Sequence, residues 1–393
     1  MEVRPLPGSA RRTSSTPTAL AYAAFVPTGL ISVLLGPLLP TLTAQWRLDD
    51  THAGYLITAQ FLGSLLGTVS SGPLARRIRF RWTMVLGLGM MAAGAATLMA
   101  GSYAWGMASV FCYGVGTGLT VPTTNLLVAR AAGERRSAAL NLLNFFWVAG
   151  AVACPFMLAG FERGGNLSWF LFSIAGCFGL IIAGLLALPN GMPELGPPTA
   201  SAPEQSLSHV LIVPMALVLG AMFFLYVGTE NAFGAWLASY AQRSSAAGGR
   251  AWITVPSYFY GALLVGRLLA PFTLRRIDDG TQARWGAALA AAGAAALLMT
   301  HTLLGIIAST VIIGLGLATL YPIAIGFMSS SFGEAAPAVA SVLFALSTLG
   351  AAFLPWLVGY VSTLTGSLRT ALLLPFGGCV AMLGLFATQR FRR

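Results

Sequence analysis

From Trp82 to Ala129 the chain runs for 48 residues without an Asp, Glu, Arg, Lys or His. A bilayer core about 30 Å thick is crossed by roughly 20 residues of apolar helix, so a run of this length is two crossings. Its one polar, aromatic break is GSYAWG, Gly101 to Gly106, where the chain is expected to turn. The bias extends to the whole sequence, with 56% hydrophobic and 8% charged residues and a mean hydropathy of +0.78. Soluble domains are about one-quarter charged, so this is an all-α polytopic membrane protein. The first apolar run is about 25 residues long, contains Gly and Pro and is followed by further runs, unlike a cleaved signal peptide. It is expected to stay as the first span.

Hydropathy places twelve spans near residues 18-43, 52-75, 82-101, 105-130, 137-160, 167-188, 210-240, 252-274, 284-302, 304-330, 336-361 and 367-389. The long polar, Pro-rich segment Pro189 to His209 splits them six and six. The chain then divides into a tail (1-17), an N-terminal six-helix bundle (18-188), a linker (189-209) and a C-terminal six-helix bundle (210-393).

All 22 basic residues are Arg, and the net charge is +11. With the N-terminus inside, sixteen Arg fall on the cytoplasmic side and five outside, while Arg267 lies within span 8. That asymmetry follows the positive-inside rule and puts both termini in the cytoplasm. Orientation accounts for the charge, so no nucleic-acid partner is expected. Cys112, Cys154, Cys177 and Cys379 sit on four different spans without CxxC spacing, which argues against metal or redox chemistry.

The two bundles repeat one another. Gly114, Gly116 and Pro122 in span 4 match Gly314, Gly316 and Pro322 in span 10 at an offset of 200. The same offset carries Gly150 and Pro155 onto Gly350 and Pro355. Six crossings return the chain to its starting side, so the repeats are parallel. Parallel six-helix repeats resemble the major facilitator superfamily, whose halves expose a central site alternately to each side.

The stretch YVGTENAFGAWLASY, Tyr226 to Tyr240, resembles span 7 of that superfamily's fucose permease-like branch of sugar:proton symporters. LNLLNFFWVAGAVACP, Leu140 to Pro155, is similar to the branch's span 5. The resemblance implies a transporter, not an enzyme. One departure stands out in the loop GPLARRIRF: Gly72, Leu74 and Arg77 match the superfamily's pattern, but Arg76 stands where it has Asp. That carboxylate is thought to latch the halves on the cytoplasmic side, and an Arg cannot serve a positive helix end. The cytoplasmic gate is then expected to rest on Arg77, Arg267, Arg275 and Arg276.

Glu230 is the one acid inside a span, where an ionisable group costs roughly 2.5 kcal/mol or more unless it is wet or paired. A carboxylate that can be neutralised there is what proton coupling needs. Straight helices put Glu230 about 8 Å outside the midplane and Arg267 about 6 Å inside it, which disfavours a direct pair. The bland alternative is a carboxylate paired with Arg243 or Arg250 at the outer interface. Tyr226 shares its face, in an aromatic setting that suits the C–H faces of a sugar. Candidate amides are Asn231, Asn144, Asn141, Asn125 and Gln60, with Trp147 for stacking; amides can equally be glue between helices.

The sequence has no nucleotide loop, nucleophile–base pair or metal-ligand spacing. The expectation is proton-coupled symport of a sugar or similar small polar solute by a cofactor-free, multi-pass monomer of the cell (inner) membrane, partnered by the lipid bilayer. One carboxylate with backbone carbonyls can also hold sodium, which stands as the alternative ion. Proton-driven export of amphipathic compounds is the rival function, favoured by 13 Met and the altered loop.

Overall fold

The computed structural model describes residues 15–188, 214–244, 249–273 and 277–388. The linker, Arg275 and Arg276 lie outside the described residues. The helices are α1 (Ser15–Val33), α2 (Leu35–Trp46), α3 (Asp50–Thr97), α4 (Tyr103–Ala132), α5 (Arg136–Arg163), α6 (Leu167–Ala187) and α7 (Pro214–Ser244). They continue with α8 (Val255–Thr273), α9 (Asp279–Met299), α10 (Leu303–Leu317), α11 (Leu320–Phe332), α12 (Ala336–Thr365), α13 (Leu368–Ala371) and α14 (Leu373–Thr388). Among the described residues seven helices are long and apolar enough to cross a membrane, and eight if the bent pair α1 and α2 is one crossing.

Local chemistry explains where rods bend. Pro37 cannot bond to the Val33 carbonyl, and its ring crowds that group; α1 ends at Val33 and α2 departs at 44°. Pro322 acts in the same way on Ala318, which lies in the break between α10 and α11. The loop expected between spans 2 and 3 contracts to a reversal at Arg79, whose φ of 69° and ψ of 159° interrupt α3. Asp49 caps α3, its carboxylate accepting from the His52 N–H at 2.8 Å, and this bond holds the Asp49 carboxyl below its usual range.

The repeat read from the sequence is a repeat of contacts. A Cβ on Gly114 would strike the Gln60 carbonyl, and one on Gly314 the Phe259 carbonyl. Gly150 packs on the Val26 carbonyl and Gly350 on that of Phe224 in the same manner. Gly133 and Gly333, again 200 apart, both take positive φ, 53° and 48°, where the chain passes from α4 to α5 and from α11 to α12. Side chains at these close approaches overpack, so Gly150→Leu or Gly350→Leu should destabilise the protein by about 1–3 kcal/mol. Gly179→Leu, whose Cβ meets open space, should leave the thermal midpoint in detergent unchanged.

The bonds that join the halves gather at one end of the bundle, opposite the end that carries the Arg79 reversal. Both Arg243 Nη atoms donate to the Asp50 carboxylate at 2.7 and 2.6 Å, and Ser362 Oγ donates to Asp50 Oδ2 at 2.5 Å. The Thr51 N–H reaches Thr363 Oγ1 at 3.0 Å, Ser257 Oγ reaches the Val152 carbonyl at 2.8 Å, and Arg250 donates to the Glu162 carbonyl. Backbones meet there too, at Gly36 against Gly234. At the basic end α1 and α4 pack mainly within the N-terminal half and α11 within the C-terminal half. The halves are thus closed at one end and parted at the other.

Candidate functional site

Glu230 lies mid-way along α7, and Tyr226 is one turn before it on the same face. Arg267 on α8 brings Nη2 to 3.7 Å from Glu230 Oε2 and to 3.3 Å from the Tyr226 hydroxyl. This corrects the expectation that depth keeps Glu230 and Arg267 apart. Helical side chains lean toward their own N-terminus, and α7 and α8 run in opposite directions, so the two side chains lean toward each other. In addition α7 continues to Ser244, a turn past its expected end, which brings Glu230 nearer its midpoint. Arg267, expected at the cytoplasmic gate, is therefore a neighbour of the in-span acid. The other alternative also falls: Arg243 is taken by Asp50, and Arg250 bonds to the Glu162 carbonyl.

At 3.7 Å the Arg267–Glu230 contact is longer than a hydrogen bond, an attraction without a fixed geometry. The Glu230 side chain is 16% exposed and that of Arg267 32% exposed. Tyr226 stacks on Tyr321 of α11 with centroids 5.3 Å apart, and Phe223 meets Tyr321 edge-on at 5.3 Å. Tyr321 and Tyr260 complete the phenols around the carboxylate. The cluster is built wholly from the C-terminal half. It combines one acid, one base, three phenols and an aromatic wall.

The remaining candidates are placed elsewhere. Gln60 is buried between α1 and α4, its Nε2 donating to the Ser32 carbonyl at 2.7 Å and its Oε1 accepting from Tyr113 at 3.2 Å. Both ends of that amide are engaged, which makes it a tie between helices. Asn125 and Asn231 each donate to a carbonyl one turn back in their own helix, Val121 and Val227, at 2.9 and 2.8 Å. Asn141 and Asn144 are exposed on α5 and Trp147 is half-buried there. Phe156 of α5 meets Tyr258 of the other half with centroids 5.8 Å apart. At 100° per residue Asn141 lies about 60° from the Phe156 direction and Asn144 about 120°, so Asn141 is the better placed to face the gap.

Arg77 is exposed at the parted end. Nearby Arg81 binds the carbonyls of Leu188 (3.0 Å) and Leu186 at the end of α6, which ties this loop to its own half. A hollow of about 700 Å³ beside Arg77 and Arg79 holds none of the in-span polar candidates. A second hollow, about 430 Å³ and apolar, lies at the seam of the halves between Tyr55, Phe224, Phe353 and Trp356. Sequence reasoning missed Asp50, an acid at a helix start outside the spans. Its signal was the facing position of Arg243 at the end of span 7.

The family model described as Major Facilitator Superfamily matches residues 21–355. The chain is similar to a glucose/galactose transporter of Brucella abortus (strain 2308), 25% identical over 375 residues that cover 88% of this chain and 87% of that one. Among solved structures it resembles the nucleoside transporter NupG with a TM-score of 0.81 at 13% identity, over 95% of this chain and 98% of that one. It also resembles the E. coli fucose:proton symporter FucP with a TM-score of 0.62 at 18% identity, over 96% and 99%. At such identities the structures speak for the fold alone.

Proposed function

The chain belongs to the Major Facilitator Superfamily, and from that premise we propose that it carries a sugar or similar small polar solute in symport with a proton. The observation that carries this reading is Glu230, an acid within the helical bundle beside an aromatic wall. That the bonds between the halves gather at one end supports an exchange by alternating access. The likeness to a glucose/galactose transporter supports the solute class. With the basic end in the cytoplasm the conformation is inward-open, and the protein is a multi-pass component of the inner membrane. Protonated Glu230 tolerates occlusion better than the ion, so proton binding biases the exchange between states.

In proteoliposomes with a pH difference, Glu230→Gln should abolish accumulation of sugar against its gradient while leaving counterflow. A pH difference of one unit drives at most about tenfold accumulation per proton, which sets the size of the effect. Accumulation by Glu230→Gln equal to that of the wild type would overturn the coupling assignment. The second reading, export of amphipathic compounds, is favoured by the apolar hollow of about 430 Å³ at the seam. Counterflow of hydrophobic cations in place of sugars would select it.

A further inference from the structure

Arg267 has more donors than the protein uses. A guanidinium carries five N–H groups. Nη2 faces Tyr226 and Glu230, whereas Nε is buried with no hydrogen-bond partner, and Nη1 has no acceptor among the described residues. A buried donor left unmade is costly, and guanidinium forks match carboxylates in geometry. The titratable groups around the pair are the phenols of Tyr226, Tyr260 and Tyr321. With Glu230 ionised the cluster is neutral. With Glu230 protonated it holds one uncompensated cation, and a partly buried charge that loses its partner is destabilised, less than a fully buried one because water reaches part of it.

Resting on the transport reading above, we propose that the solute is a sugar acid, a polyhydroxylated monoanion whose carboxylate pairs with Arg267 when Glu230 is protonated. The proton and the anion enter together, so the site is neutral both empty and loaded. A neutral sugar can ride with the same proton but leaves Arg267 without a carboxylate when Glu230 is protonated, so it is held less tightly than the acid. The solute's C–H faces rest on Tyr321, which is half-buried beside the pair. Glu230 and the carboxylate compete for one guanidinium, which couples the two loads without their touching.

The test is calorimetric titration of the full chain in nanodiscs with D-glucuronate, D-gluconate, D-glucose and D-galactose at two pH values one unit apart. The acids should bind at least about tenfold more tightly than the neutral sugars, and more tightly still at the lower pH. Arg267→Gln should erase the preference, Arg267→Lys should keep part of it, and Glu230→Gln should bind the acids without pH dependence. An unchanged thermal midpoint shows that each variant is folded, and a wild-type pH response that survives in Glu230→Gln overturns the competition. In proteoliposomes, uptake of the acid should be indifferent to an imposed potassium diffusion potential. Neutral sugars binding as tightly as the acids would overturn the charge assignment and leave the transporter reading intact. If neither class binds or moves, both readings fall.

Discussion

Asp50→Asn is expected to open the closed end of the bundle and to slow net transport by roughly 30-fold or more, corresponding to about 2 kcal/mol. The Asp50 side chain is 11% exposed, receives both Nη atoms of Arg243, and accepts from Ser362 on α12. Arg243 and Ser362 belong to the C-terminal half and Asp50 to the N-terminal half, so this contact exists only while that end is closed. Breaking a buried pair by removing one partner costs about 3–5 kcal/mol, and the 42% exposure of Arg243 lets water recover part of that. The whole cost falls on one conformation, which makes it a population shift. Spin labels at Arg163→Cys and Arg369→Cys, with exposed Cys177 changed to Ser, should report a longer distance. The exchange Asp50→Arg with Arg243→Asp should shorten it again, which separates the pair from the helix-start role of Asp50. A wild-type distance distribution in Asp50→Asn would sink the latch.

The rods were legible because their information is local. Charge-free runs of bilayer length mark the spans, and the offset of 200 marks a repeat whose physical content is the approach of Gly150 to Val26 and of Gly350 to Phe224. Geometry between rods was not legible. The pairing of Glu230 with Arg267 depends on which way two side chains lean and on one extra turn of α7, neither of which hydropathy records. The tie made by Gln60 depends on a carbonyl of Ser32 in a neighbouring rod, so an in-span amide could not be sorted into glue or site by its depth. Asp50 was hidden for a different reason. Acids at helix starts are usually solvated, and only the meeting of α3, α7 and α12 distinguishes it from Asp49, which caps its own helix.

A second way to hold the same end open is steric, and it makes the stronger prediction. Gly36 of α2 and Gly234 of α7 meet across the halves so closely that a Cβ on Gly36 would strike the Gly234 carbonyl. Overpacking costs about 1–3 kcal/mol where a neighbour can yield, and more against backbone. In the alternate state the halves part here, and the added side chain has room. Gly36→Ala, →Val and →Leu should therefore lower net transport in order, reaching about a hundredfold at Leu, for which about 2.7 kcal/mol suffices. Gly89→Leu, whose Cβ meets open space, controls for loss of folding. Salt separates the two devices, because screening weakens a partly exposed ion pair and leaves a collision untouched. High ionic strength should shrink the difference between wild type and Asp50→Asn and leave that of Gly36→Leu in place. Since Asp50 and Gly36 act on one equilibrium through different contacts, their effects on it should add. A double variant no more open than Gly36→Leu alone would mean that the ion pair merely follows the backbone contact.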